Sequence, residues 1–201
     1  TEDPACRGRP FGHCSRTHTP RVLEYTWQSG ESVRGTVLGL VLVRLASRAR
    51  RSPRRMKISV LDYGAGNVRS LHNALVALGC EVDYITTAEQ IAEAPALIFP
   101  GVGAFGRCME VLESRGWIEA LKAYVQADRP YLGICLGMQT LFEGSEESPG
   151  VAGLGLIPGV VGRFPAAEGR SVPQIGWNGL RKQRPDGLLE GIEEGDAVYF
   201  V

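Results

Sequence analysis

The chemistry in this chain begins at Gly133-Ile134-Cys135-Leu136-Gly137. This G-x-C-x-G pattern is the thiol counterpart of the G-x-S-x-G nucleophile elbow, in which a sharp strand-to-helix turn holds the nucleophile out at the end of a strand. Small flanking residues let that turn form without clashes. A helix starting near Gly137 would point free N–H groups and its positive end at Cys135, which favours the thiolate. Attack of a thiolate on a carbonyl makes an oxyanion, and the N–H of Leu136 is placed to receive it. A buried structural cysteine is the alternative, since cysteine is often a core residue. The glycines on both sides, at the carboxyl end of a strand, favour the nucleophile. Cys80 and Cys108 lack that setting and read as ordinary core or surface positions.

A second oxyanion donor is available in Phe99–Gly106, "FPGVGAFG". Its glycines admit positive φ and close approach, so an N–H near Val102 or Gly103 could reach the same end of the sheet. A loop without a role is the alternative. A cysteine nucleophile usually works with a histidine base, and the histidines are His13, His18 and His72 alone. The first two lie in the N-terminal tail. His72 falls on a helix expected to pack beside the sheet, away from its active end, so the residues show a nucleophile without its partner.

The elements that must position this thiol follow from Met56 onward. "KISVLD" reads as a strand, "YGAGN" as a turn and "VRSLHNALVALG" as a helix with apolar residues at three- and four-residue spacing, closed by Gly79. Next come a strand "EVDYI", a short helix around Ala88–Glu93, a strand "ALIFP" and the glycine-rich loop. Residues 108–122 read as helical with a break near Gly116, "YLGIC" as a strand and "GMQTLFE" as a helix. Alternating strands and helices predict an α/β fold, a doubly wound, mostly parallel sheet with flanking helices. After Pro149 the texture turns to short β-rich pieces, which predicts a β-rich C-terminal extension, either antiparallel itself or of strands leading into an antiparallel one. The last strand is still running at Val201, so the domain, residues 56–201, reads as incomplete at its C-terminal end.

Charge separates this domain from what precedes it. Residues 1–55 carry eleven arginines against four acids, whereas 56–201 carry eleven basic residues against eighteen acids. An arginine-rich, acid-poor leader suits an organelle transit peptide; upstream sequence with Met56 as the true start is the equal alternative. A nucleic-acid-binding arm lacks aromatic or motif support. The apolar run of residues 37–43 is far short of the roughly 20 residues of a membrane span. Five cysteines without close ligand spacing argue against a disulfide framework or a zinc site. "YGAGNVRS" fails as a dinucleotide fingerprint, because Arg69 stands where the third glycine belongs. No cofactor and no metal are expected.

"LGICLGMQ" around Cys135 resembles the nucleophile motif of class I glutamine amidotransferases, and "FPGVGAFG" resembles their oxyanion strand. "LDYGAGNVRSLHNAL" and "VPQIGWN" are similar to the glutaminase part of imidazole glycerol phosphate synthase, of histidine biosynthesis. "DRPYLGICLG" and "GLGLIPGVVGRF" resemble the plant and algal form, in which a cyclase barrel is fused C-terminally and a plastid leader precedes. The similarity runs from about Met56 to Val201.

The resemblance implies glutamine hydrolysis through a cysteinyl thioester, with ammonia passed to a cyclase acting on a ribulosyl-phosphate intermediate. It implies Cys135 as nucleophile and Leu136 and Val102 as oxyanion donors. Gly101, Gly103 and Gln139 would hold L-glutamine, and Trp177 and Asn178 would face the cyclase, with plain core packing the alternative for Trp177. The catalytic histidine and glutamate of the family belong to an "H-P-E" motif beyond Val201, and an "H-S-Y" segment should begin at residue 202. These 201 residues alone are therefore expected to be inactive. An amidotransferase with another ammonia acceptor, a non-catalytic partner-binding domain and a cysteine-elbow hydrolase or chaperone-like domain are the competing functions. "VPQIGWN" argues against the first, and the last would not need a "GWN" face.

Overall fold

The computed structural model describes residues 56–165, 172–182 and 191–201, together with two short strands, β1 (Tyr25–Thr26) and β2 (Ser32–Val33), which pair antiparallel. The rest of the predicted leader, with His13 and His18, lies outside the described residues.

Strands β3 (Lys57–Leu61), β4 (Glu81–Ile85), β5 (Leu97–Gly101) and β6 (Tyr131–Cys135) form one parallel sheet in the order β4-β3-β5-β6. Helix α1 (Val68–Ala77) links β3 to β4. Helix α2 (Ala88–Glu93) then carries the chain back across β3 to β5, so the order of connection reverses between β3 and β5. Helices α3 (Phe105–Ser114) and α4 (Ile118–Gln126) lead from β5 to β6. Gly116, at φ +68°, separates these two, where the sequence predicts a break in one helical stretch.

Because successive strand residues face opposite sides, two cores result. Ile58, Val60, Ile98 and Leu132 pack with Leu71 and Leu75 of α1. Leu61, Leu97 and Phe99 pack with Ile91, Phe105, Leu112 and Leu121 of α2, α3 and α4, and with Trp117 between the last two. A reversal of winding puts helices on both faces, and in such sheets the crevice at the strands' carboxyl ends is where ligands bind.

The predicted helix "GMQTLFE" is corrected. Helix α5 holds only Leu136–Gln139, and Phe142–Ser145 forms strand β7, paired parallel with β8 (Ile157–Val161). The cause is long-range competition for backbone groups. Leu156 and Ile157 both donate to the carbonyl of Leu141, Leu154 donates to that of Thr140, and Gly155 to that of Phe142. Those carbonyls are thereby taken by residues about fifteen positions downstream rather than by a following helical turn. Strands β9 (Gly176–Gly179) and β10 (Ala197–Phe200) pair antiparallel, as the C-terminal texture predicts, whereas β8 from the same stretch is corrected to a parallel pairing with β7.

Candidate active site

Cys135 ends β6 and caps α5 at φ 53° and ψ −116°. A non-glycine residue there is strained by about 1–3 kcal/mol and persists only where its surroundings enforce it. Three glycines do the enforcing. A Cβ on Gly137 would overlap the carbonyl oxygen of Phe99, and one on Gly133 would lie 2.6 Å from the Cα of Met138. A Cβ on Gly101 would lie 2.8 Å from the Cβ of Leu136. Strands β5 and β6 and helix α5 therefore meet backbone to backbone, with Gly101 opposite Cys135 in the register. The carbonyl of Gly137 accepts the Tyr131 hydroxyl at 2.8 Å and the Thr140 hydroxyl at 3.0 Å, which fixes the first turn of α5 from below.

The thiol of Cys135 is half-buried, and burial pushes its pKa up from the ordinary value. A hydrogen bond from the Leu136 N–H pulls the other way, and the carboxylate of Glu147 pushes up again. The expected thiolate at a helix end is thus corrected. A single turn has too few aligned peptides for a sizeable dipole, and the thiol stays protonated until a base takes its proton. Cys80 and Cys108 are buried, and burial carries the Cys108 thiol up to about 12.

Leu136 brings its N–H to the sulfur, but Val102 does not. Its N–H donates to the Tyr63 hydroxyl at 3.1 Å, and that hydroxyl donates to the Val102 carbonyl at 2.6 Å. Gly101 is buried at the end of β5, whereas Gly103 is exposed with φ +95° and open space around it. Gln139 is half-buried at the last position of α5. His72 bonds Tyr84 on the edge strand β4 at 2.8 Å and stacks on its ring, with β3 and β5 between it and β6. Trp177 is 67% exposed and meets Tyr199 edge-on at 5.5 Å, which corrects the core-packing alternative; Asn178 beside it is half-buried.

Two residues of the site were not legible beforehand. Glu147 acts on Cys135 and also accepts the N–H of Phe105 at 3.2 Å at the start of α3. Tyr63 reaches Val102 across a separation of 39 residues. An acid twelve residues past a cysteine and a tyrosine in a turn carry no local signal of either contact. Among the described residues, no group of three or more His, Cys, Asp or Glu side chains could hold a metal ion. No helix among them is long and apolar enough to cross a membrane.

A strained cysteine elbow at the carboxyl end of a parallel, doubly wound sheet defines an α/β protein of the nucleophile-elbow kind. The family model for class-I glutamine amidotransferases matches residues 59–200, so the chain belongs to that family. Within it, the chain is 52% identical over 144 residues to "Imidazole glycerol phosphate synthase hisHF, chloroplastic" of Arabidopsis thaliana, covering 72% of this chain and 24% of that protein. It is 47% identical over 144 residues to "Imidazole glycerol phosphate synthase subunit HisH" of Desulfitobacterium hafniense, covering 72% of this chain and 67% of that protein. The chain thus spans about a quarter of the plant relative and two thirds of the bacterial one. A solved glutamine amidotransferase structure superposes with a TM-score of 0.54 at 23% identity, covering 72% of this chain and 70% of that one, which shows the shared fold.

Proposed function

We propose that the protein hydrolyses L-glutamine at Cys135 and hands the ammonia to a cyclase that makes imidazole glycerol phosphate. The observation that carries this reading is the enforced backbone of Cys135, whose strain has no use in a purely structural cysteine. The sulfur attacks the side-chain amide carbon, and the oxyanion that forms is met by the Leu136 N–H. Collapse of that intermediate expels ammonia once the leaving nitrogen is protonated, and leaves a thioester. Water then cleaves the thioester to glutamate and frees the thiol. Because burial raises the thiol's pKa above its ordinary value, a base must take its proton. The resemblance assigns this to a histidine, with its glutamate partner, beyond residue 201.

Glu147 is compatible with the substrate assignment. A carboxylate within electrostatic reach of the nucleophile opposes thiolate formation and would suit the α-ammonium group of a bound amino acid. Gly101, Gly103 and Gln139 border the same end of the sheet and would hold the rest of glutamine. Trp177, with Asn178 beside it, offers an exposed aromatic anchor of the kind that dominates interfaces, and is assigned to the cyclase contact. Residues 1–55, ahead of a domain spanning 56–201, are read either as a plastid leader, which would place the protein in the stroma, or equally as sequence upstream of a start at Met56, which would leave it cytoplasmic. A reporter fused behind residues 1–55 enters plastids on the first reading and stays in the cytosol on the second.

The test of the central reading is Cys135→Ala in the complete protein. Glutamine-dependent synthesis should vanish while ammonia-dependent synthesis persists, because the nucleophile serves only to release ammonia. Loss of both in a folded variant overturns the role.

A further inference from the structure

Helix α3 begins without a cap of its own. Ala104 precedes it and has no side chain to accept a hydrogen bond, while the first N–H groups of a helix find no partner within it. Two residues of another segment take that place. Glu147 Oε2 accepts the Phe105 N–H at 3.2 Å, and the Ser148 hydroxyl accepts the Gly106 N–H at 2.9 Å. Consecutive donors of α3 thus meet consecutive residues of the turn after β7. Gly106 is shaped to this contact. Glycine weakens a helix relative to alanine, and Gly106 makes no use of a positive φ. A Cβ there would lie 3.0 Å from the Ser148 hydroxyl oxygen and 3.3 Å from its Cβ, so the bare backbone is what admits the serine. The turn itself is stiff. The Ser145 hydroxyl accepts the Glu147 N–H at 3.2 Å, the Ser145 carbonyl accepts the Ser148 N–H at 3.1 Å, and the Ser148 carbonyl accepts the Val151 N–H at 3.1 Å. Gly144 and Ala152 then close it with an antiparallel bridge. Where Ser148 docks therefore decides where the Glu147 carboxylate lies, and that carboxylate is within electrostatic reach of Cys135.

We infer that Ser148 is a positioning residue, whose hydrogen bond to the first turn of α3 holds Glu147 where its carboxylate can meet the α-ammonium group of glutamine. This rests on the amidotransferase role proposed above. Glu147 by itself is a loose anchor, because it is exposed and its long side chain has much rotamer freedom to lose. Ser148 is half-buried, its side chain is short, and it makes the shorter of the two bonds. It also sets how strongly the helix competes for the carboxylate. A helix N-terminus attracts a negative charge, and Ser148 takes one of the two N–H groups that Glu147 could otherwise claim. Without the serine hydroxyl, the Gly106 N–H draws the carboxylate onto the helix end and away from the nucleophile.

The experiment uses the complete protein and reads two quantities. Glutamine hydrolysis with the cyclase's ribulosyl-phosphate substrate present gives kcat and KM. Alkylation by iodoacetamide without glutamine, followed at the Cys135 peptide by mass spectrometry, reports the thiolate and needs no amidotransferase activity. A neutral hydrogen bond is worth a factor of about 2–10. Ser148→Ala should raise KM for glutamine by about that factor, with kcat and ammonia-dependent synthesis unchanged. Its Cys135 should alkylate faster, as should that of Glu147→Gln, because the opposing carboxylate has receded in the one and lost its charge in the other. Tyr63, the other titratable group coupled to Cys135, is kept neutral by burial and does not disturb this comparison. In the double variant Ser148→Ala should add nothing to Glu147→Gln, since both act through one carboxylate. Gly106→Ala should raise KM as well, its methyl pushing back the Ser148 hydroxyl although alanine favours the helix. A wild-type KM or a wild-type alkylation rate in folded Ser148→Ala overturns the positioning role, as does a double variant that alkylates faster than Glu147→Gln. Wild type that hydrolyses no glutamine beside the expected alkylation pattern overturns the amidotransferase role alone.

Discussion

Glycine at position 135 should make the domain more stable than alanine does, the reverse of the usual order in a strand. Both substitutions remove the sulfur, so their comparison isolates the backbone. Cys135 sits at φ 53° and ψ −116°, where a residue with a Cβ is strained by about 1–3 kcal/mol. Alanine keeps that strain and glycine relieves it. Glycine in turn costs about 0.5–1 kcal/mol through the greater freedom of the unfolded chain. The balance favours Cys135→Gly over Cys135→Ala by up to about 2.5 kcal/mol, or up to about 10 °C in melting temperature for a domain of this size. Urea unfolding followed by the fluorescence of Trp117, which is 1% exposed in the core, reads the difference. Glutamine-dependent activity should be absent from both variants. If Cys135→Ala is the more stable of the two, the elbow stores no strain and the reason given for a cysteine there fails.

Gly137→Ala should cost at least about 1–3 kcal/mol, because the new methyl meets the backbone carbonyl of Phe99 and no side-chain rotation relieves it; an unfolding midpoint equal to wild type would contradict the close approach of α5 to β5. Gly103→Val should fold, since space around Gly103 is open, yet lose glutamine-dependent turnover while ammonia-dependent turnover persists, because its φ of +95° resists a β-branched residue. Stability should decline from about pH 9 towards pH 12. Cys108 is held neutral up to about 12 when folded, so the unfolded chain gives up its proton first and gains from rising pH; Cys108→Ala should flatten that decline in urea midpoints. Trp177→Ala should change stability by no more than about 0.5 kcal/mol, since the ring is largely exposed, but should weaken binding of the cyclase by tenfold or more.

Some of this protein was settled by residues close together in the chain. The alternation of strands and helices from Met56 onward was legible because side-chain period and glycine punctuation are local properties, and β3 to β6 with α1 and α2 fall where those signals put them. The elbow at Cys135 was legible for the same reason: a tight turn needs small residues at fixed offsets, and Gly133 and Gly137 stand there. What lay beyond reach depended on contacts between distant segments. The end of α5 after Gln139 follows from residues 154–157 taking the carbonyls of 140–142, and helix propensity cannot register that competition. The acidity of Cys135 was misjudged from its place at a helix end, because burial and Glu147 outweigh the single turn of α5. The orientation of Val102 was decided by Tyr63 at the end of a different strand. Sequence specified which groups could do chemistry; the crossing of β5 between β3 and β6 decided which way they point, because the sheet sets which neighbour each peptide faces.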